Sequence, residues 1–258
     1  MNTLIQVSNI QGFCKENLQF VNYYTPHYHY NTQGHFGPIS ETEVILLKTN
    51  YDVAIIGCGT AGIFAGYELI RRHPDLKIVV LEQGGDIYSR HCPIVAGKVK
   101  ECVHCAVCDT MCGFGGAGAF SDGKYNFTTA FGGWLTDFMD DDEVMELINY
   151  VDTVNMKYGA TDKTFSTDTP EAKALEREAL KYDLHLLQAK VKHLGTENNL
   201  RILQSMYDDL KEVIEYRFRT AVESIDRQGE GYTLTLKNGD VVDCKYLIAA
   251  PGRSGAEW

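Results

Sequence analysis

The clearest periodic signal lies between Tyr51 and Glu82. YDVAII (51–56) is a short apolar run, GCGTAG (57–62) reads as a turn, and IFAGYELIRRH (63–73) places Ile63, Phe64, Tyr67 and Ile70 at helical spacing. Pro74 stops that helix, and KIVVLE (77–82) is a second apolar run of strand length. Strand, helix and strand in this order predict a βαβ unit, hence a parallel sheet.

Beyond it the pattern changes character. Residues 83–133 are rich in Gly and Cys with few helix or strand signals, and so long an irregular stretch is usually functional. DDDEVMELINYVDTVNMKYG (140–159) predicts a helix: its acidic start complements the helix dipole, and Val144, Leu147, Ile148 and Val151 share a face. Thr169 as N-cap and Pro170 at the first helical position open another helix, to about Tyr182. LHLLQAKVKHL (184–194) fits a helix by composition and a strand by partial alternation, with Gly195 ending it, and 197–212 reads as helix. VIEYRFRTAVESI (213–225) alternates as a strand. YTLTL (232–236) and VVDC (241–244) flank Lys237-Asn238-Gly239-Asp240, a hairpin signal in which Asn-Gly supplies positive φ. KYLIAA (245–250) predicts a buried strand ending in PGRSG. Residues 1–50 have no clear period. VILLK (44–48) suits a short strand. His27, His29 and His35 lack acidic or Cys neighbours, so 23–38 reads as a surface arm rather than a metal site.

Composition narrows the function. The 258 residues suffice for one large domain or two smaller ones. Lys+Arg 24 against Asp+Glu 35, a net charge of -11, argues against general nucleic-acid binding, which needs clustered cations on phosphates. No apolar run approaches the roughly 18 residues of a membrane helix. The opening residues lack a basic start followed by an apolar core, so they do not read as a signal peptide, and a cytoplasmic location is expected. In that compartment the 8 Cys are thiols or ligands rather than disulfides.

The turn carries the strongest chemistry. Gly57-x-Gly59-x-x-Gly62 follows a predicted strand, opens a predicted helix and precedes Glu82 at the end of the next strand. In such a fingerprint Gly57 makes the tight turn, Gly59 lets a pyrophosphate approach the backbone, and Gly62 lets helix and strand pack. The helix amides then face the phosphates. Glu82 should accept from the adenosine ribose hydroxyls, and a carboxylate there disfavours a 2′-phosphate. The choice between FAD and NAD turns on Ala250-Pro251-Gly252. In two-dinucleotide-fold flavoproteins a strand ending in an Ala-Thr-Gly-like turn returns to the FAD domain, and this chain departs in the middle residue only.

YDVAIIGCGTAGIFAGYEL, GFGGAGAFSDGKYNF (113–127), FGGWLTDF (131–138), KHLGTENN (192–199) and LIAAPGRSGAEW (247–258) together resemble a family of largely uncharacterised FAD-dependent dehydrogenases in the glutathione-reductase-like superfamily. The resemblance covers about residues 51–258, and GGAGAFSDGK is its specific part. It implies FAD as cofactor and redox chemistry on a small-molecule substrate, with NAD(P)H or another electron donor as partner. Family members continue to a C-terminal FAD motif that this chain lacks, so the resemblance implies an N-terminal portion. Ser121, Asp122, Gly123 and Lys124 are the polar groups expected at the flavin, with Gly115, Gly116 and Gly118 admitting backbone amides. Lys124 is suited to stabilise negative charge on the ring, a solvated lysine being the alternative. Arg90 is placed either at the pyrophosphate or on the surface. The cofactor-binding set is Gly57, Gly59, Thr60, Ala61, Gly62, Glu82, Gln83, Arg90, Gly116, Ser121, Asp122, Gly123, Lys124, Val222, Ala250 and Gly252. No catalytic acid or base stands out; His193 is the only candidate worth naming, and a structural histidine is the favoured reading of it.

Cys102-x-x-Cys105-x-x-Cys108-x-x-x-Cys112 has the spacing of a bacterial ferredoxin run, with Gly113 in place of the usual Pro. Cys92 could instead serve as the fourth ligand. Iron–sulfur, tetrahedral zinc, a redox dithiol and uncommitted thiols all stay open, and no metal ligand is assigned. The expected fold is α/β: a Rossmann-like FAD-binding domain from 51–133 and 213–258, interrupted by a mixed α+β insertion. Residues 134–212 begin a substrate-facing part, and 1–50 form an extension. The expected function is an FAD-binding oxidoreductase. The alternatives are a non-catalytic dinucleotide-binding module and an iron–sulfur flavoprotein that passes electrons on.

Overall fold

The computed structural model describes residues 49–257. The readings on the His-rich stretch 23–38 and on 44–48 lie outside the described residues. β1 (Thr49–Ile56), α1 (Thr60–Arg72) and β2 (Ile78–Leu81) form the expected βαβ unit, with β1 and β2 parallel in the register Val53↔Ile78 to Ile56↔Leu81. All four residues of β2 are buried, as a strand covered on both faces requires. α1 starts three positions before its apolar spacing suggests, because the second half of the glycine turn is already helical and Gly59 is its N-cap.

The irregular stretch after β2 contains one 3-10 turn, Gly116–Phe120, before β3 (Lys124–Asn126). α2 (Asp141–Lys157) opens with a capping box in which the Asp140 backbone N–H donates to Glu143 Oε2 at 3.2 Å. Its buried side is Val144, Val154 and Asn155, whereas Leu147 is 46% exposed; the expected face is therefore rotated past Leu147. β4 (Phe165–Ser166) leads to α3 (Pro170–Leu180), where Thr169 Oγ1 accepts from the Ala172 amide and Pro170 starts the helix. The ambiguous segment resolves into β5 (Lys190–His193), and Leu184 and Leu187 before it stay exposed. β3, β5 and β4 make a small antiparallel sheet. α4 (Thr196–Leu210) buries Ile202, Met206 and Leu210 along one stripe.

The expected single strand over 213–225 is two strands. β6 (Glu215–Arg217) pairs parallel with β2, while β7 (Val222–Gln228) pairs antiparallel with β8 (Gly231–Leu236). Between them the chain crosses the end of β2: the Arg219 amide donates to Gly84 O and the Thr220 amide to Glu82 O, with Arg219 at a left-handed φ of 52°. VVDC and KYLIAA merge into one strand, β9 (Val241–Ala249). It pairs with β8 only over its first part, and Tyr246, Leu247 and Ile248 are half-buried rather than buried. In the hairpin turn positive φ falls on Gly239 alone, not on Asn238.

The large sheet has the order β6-β2-β1-β9-β8-β7, its first four strands parallel. Alternation along the strands divides the core. Val53, Ile55, Ile78 and Val80 face α1 and α4 through Ile63, Ile202, Met206 and Leu210. Ala54, Ile56, Val79 and Leu81 face Val222, Leu234, Leu236 and Val242. Helices cover one face and the hairpin strands the other, which is the expected α/β class with a mostly parallel sheet. The glycine turn lies at the carboxyl end of its strands, where α/β sheets bind ligands.

Candidate functional site

Each glycine of the turn meets a different constraint. Gly57 has a φ of 92°, and a Cβ there would lie 2.3 Å from Ala250 O. A Cβ on Gly62 would lie 2.0 Å from Gly57 O. A Cβ on Gly59 would meet nothing within 4 Å. The first two glycines are thus required by packing, whereas Gly59 keeps a space clear. α1 has no side-chain cap and no acidic residue in its first turn, and Thr60 and Ala61 are exposed there. A helix start leaves its first amides without intrahelical partners, and the dipole makes that end electropositive. An anion set against Gly59 would meet both. The diphosphate of a dinucleotide fits this cradle.

Glu82 is 6% exposed and sits beneath the turn. Its Oε2 accepts from the Cys58 amide at 2.7 Å, and its Oε1 accepts from the amides of Gly84 at 2.7 Å and Gly113 at 2.9 Å. One carboxylate therefore joins the glycine turn, the end of β2 and the glycine-rich loop. Gln83 beside it donates to Cys112 Sγ at 3.3 Å.

Arg90 is buried, at 4% exposure. Its guanidinium donates to the carbonyls of Asp109 at 2.8 Å, Phe114 at 2.6 Å and Gly116 at 2.8 Å, and lies over the Phe120 ring. It is a brace for the loop, not the surface arginine that was one of its two expected placements. Asp109 Oδ1 is buried without a hydrogen bond, 4.0 Å from Arg219.

The loop 113–124 is pinned onto the turn. Phe114 is fully buried, the Gly115 amide donates to Cys58 O at 2.8 Å, and a Cβ on Gly116 would come within 3.1 Å of Gly59 Cα. Ser121 Oγ donates back to Gly118 O at 2.8 Å. Asp122 and Lys124 are exposed and paired at 2.8 Å, and that lysine holds the Asp122 carboxyl below the usual carboxylate range. Gly123 points inward, where a Cβ would meet Asn199 Cβ at 3.0 Å. Val222 is buried at the start of β7, the Ala250 amide donates to Ile56 O at 2.8 Å, and Gly252 takes a φ of 64°. His193 is exposed and pairs in register with Lys124.

Two features escaped the sequence reading. Asn199 in α4 donates to Gly118 O at 2.8 Å and accepts from Tyr125 Oη at 2.9 Å, tying α4 to the loop. Lys192, 1% exposed, pairs with both oxygens of Asp152 at 2.7 Å. Glycines flanking a helix start announce themselves locally; a buried lysine in an alternating strand looks like any surface lysine.

Among the described residues the cysteines are free thiols, and no three ligand-type side chains stand close enough together to hold a single metal ion. Burial pushes the Cys58 thiol well up, and the Thr110 hydrogen bond lowers that of Cys108. Cys92, Cys102, Cys105 and Cys108 nevertheless line one cavity, from which Cys112 is absent. A larger open cavity of about 330 Å³ is lined by Asn126, Thr128, Thr129, Thr136, Val144 and neighbours, with no charged side chain. Among the described residues no helix is long and apolar enough to cross a membrane.

No family model matches the chain. The mitochondrial L-2-hydroxyglutarate dehydrogenase of Dictyostelium discoideum is 40% identical over 60 residues, a stretch that is 23% of this chain and 13% of that protein. Among solved structures, glycine oxidase from Geobacillus kaustophilus aligns over 81% of this chain and 57% of its own, at 16% identity and a TM-score of 0.46. Quinol fumarate reductase of E. coli aligns over 80% of this chain and 33% of its own, at 12% identity and a TM-score of 0.45. Cyclohexanone monooxygenase aligns over 80% and 27%, at 17% identity and a TM-score of 0.40. These overlaps are too loose to add to what the strand order itself shows.

Proposed function

We propose that this chain binds FAD at the Gly57–Gly62 turn and serves a flavin-dependent oxidoreductase. The observation that carries the reading is the clear space over Gly59 at a helix start without a side-chain cap. Backbone amides from Gly59 to Gly62 hold the pyrophosphate. Glu82 uses three of a carboxylate's roughly four acceptor sites on backbone amides and keeps the last for a ribose hydroxyl. FAD, when bound, supplies the hydride or electron transfer. Lys124, held by Asp122, is assigned to balance negative charge developing at the ring. The short match to a dehydrogenase supports redox chemistry. The cavity beside β3 and α2 is lined by apolar side chains with a few uncharged polar groups, which suits a neutral substrate better than a dicarboxylate.

The test is calorimetric titration of the purified chain with FAD and with ADP, on wild type and Gly59→Val. Wild type should bind both, and the variant should lose both while keeping its circular dichroism. A variant that still copurifies with full flavin would remove the turn from the site.

A further inference from the structure

The large sheet ends differently on its two sides. β6, at one end, is three residues long, and its Glu215 and Arg217 pair at 2.9 Å and both bond Tyr51 Oη. β7, at the other end, is seven residues long and exposed from Glu223 to Gln228. Among the described residues its backbone ladder is with β8 alone, and Glu223, Asp226 and Arg227 have no ion pair. Gln228 and Gly231 face each other across the two-residue loop Gly229-Glu230, which makes them the hydrogen-bonded closing pair of the hairpin. Hydrogen-bonded and non-hydrogen-bonded pairs alternate from there, so Ile225 and Arg227 turn their N–H and C=O away from β8. Unpaired backbone along an exposed edge is a template for another strand.

We infer that β7 pairs antiparallel with β7 of a second copy of this chain, about a two-fold axis through Ile225. The order of side chains selects both the occupant and the register. With the axis at Ile225, Glu223 of each copy lies opposite Arg227 of the other, Ser224 lies opposite Asp226, and Ile225 meets its own counterpart. Opposite charges facing across strands attract. An axis at Asp226 would set that carboxylate against itself, and an axis at Ser224 would face Glu223 with Ile225 and Arg227 with Ala221. The backbone agrees, because the chosen register brings the outward N–H and C=O of Ile225 onto the same groups of the other copy. Ile225 also lies opposite the fully buried Leu234, so the apolar face runs out to the edge, where Ile225 is 37% exposed. Pairing with its counterpart removes that apolar edge from water. A bulge between Val222 and Ser224, with Glu223 as its extra residue, bends the strand and ends the ladder there. The contact uses the same strand of both copies, so it closes as a dimer rather than growing into a fibre.

A contact one strand wide falls in the class below about 1,200 Å², where association is weak and depends on concentration. Sedimentation equilibrium of the full chain over a wide concentration range, at low salt where exposed charges are least screened, is the test. Wild type should pass reversibly from monomer to dimer. Glu223→Arg and Arg227→Glu each set like charges opposite one another at both ends of the ladder, and each should weaken the dimer by roughly tenfold or more. The double variant restores opposite charges across the axis and should recover the wild-type affinity. Both positions are exposed, so circular dichroism should be unchanged in all three variants. A wild type that stays monomeric at every concentration would overturn the inference and leave the edge to a different partner. Single variants that dimerise as tightly as wild type would also overturn it. So would a folded double variant that stays monomeric, or assembly that grows past the dimer.

Discussion

The glycine turn and the cysteine loop are joined through Glu82 and Arg90, yet they are held in opposite ways. The turn is wedged between β1, α1 and Ala250, where a single added carbon on Gly57 or Gly62 would collide with backbone. The cysteine loop touches the same framework through hydrogen bonds and contributes nothing to either core cluster. Packing fixes the shape of the turn without any ligand. The cysteine loop is held by hydrogen bonds instead, with no apolar side chain of its own in the core.

Glu82→Ala breaks this contrast at its junction. It strands three buried amides, at roughly 1–3 kcal/mol each, so the apoprotein should lose about 3–9 kcal/mol in urea denaturation. A loss below 1 kcal/mol would show that water or ligand, not Glu82, normally satisfies those amides. Arg90→Ala separates the two regions next. Losing three charged hydrogen bonds should cost roughly 2–5 kcal/mol, and limited proteolysis should move to the 91–112 segment while the βαβ unit stays protected. Cleavage spread evenly over the chain would mean that Arg90 supports the whole domain.

Within the turn a smaller pair of variants distinguishes packing from binding. Gly62→Ala should destabilise by roughly 1–3 kcal/mol through overpacking, whereas Gly59→Ala should leave the melting temperature nearly unchanged and weaken ADP binding. Equal melting shifts would show that the space over Gly59 is not open. The smallest effect is an acid one, at the exposed side of α1. Arg71, with Tyr150 and Arg72, holds the Glu68 carboxyl down to about 2 from an ordinary 4.5, against the opposing pull of partial burial. Its contribution to stability is therefore full above pH 4.5 and disappears as pH falls through about 2. Glu68→Gln should flatten stability against pH in that window only. A change in slope above pH 5 would place the acid-sensitive group elsewhere.

The elements that were legible beforehand carry short-range signals. The βαβ unit, the Thr169-Pro170 start of α3, the acidic start of α2 and the Asn-Gly hairpin each depend on residues within a turn or two of one another. Residues 213–225 show where this fails. Their alternation is real at each end, but β6 and β7 belong to opposite edges of the sheet, and the break comes from bonds to Gly84 and Glu82. The site divides the same way. Its glycines were legible because their backbone demands are local, while Arg90 gave no sign that Asp109, Phe114 and Gly116 would converge on it.

By itself, then, the sequence determined a parallel βαβ unit with a glycine turn at a helix start, and left the role of the clustered cysteines open. The tertiary structure decided that Glu82 staples three segments, that Lys192 is buried against Asp152, and that Cys92 rather than Cys112 shares a cavity with the other thiols. Backbone preference and capping act over a few residues, so they are written into the chain. Which acceptor meets which donor across long separations depends on the closed fold, because only packing brings those groups within hydrogen-bond reach.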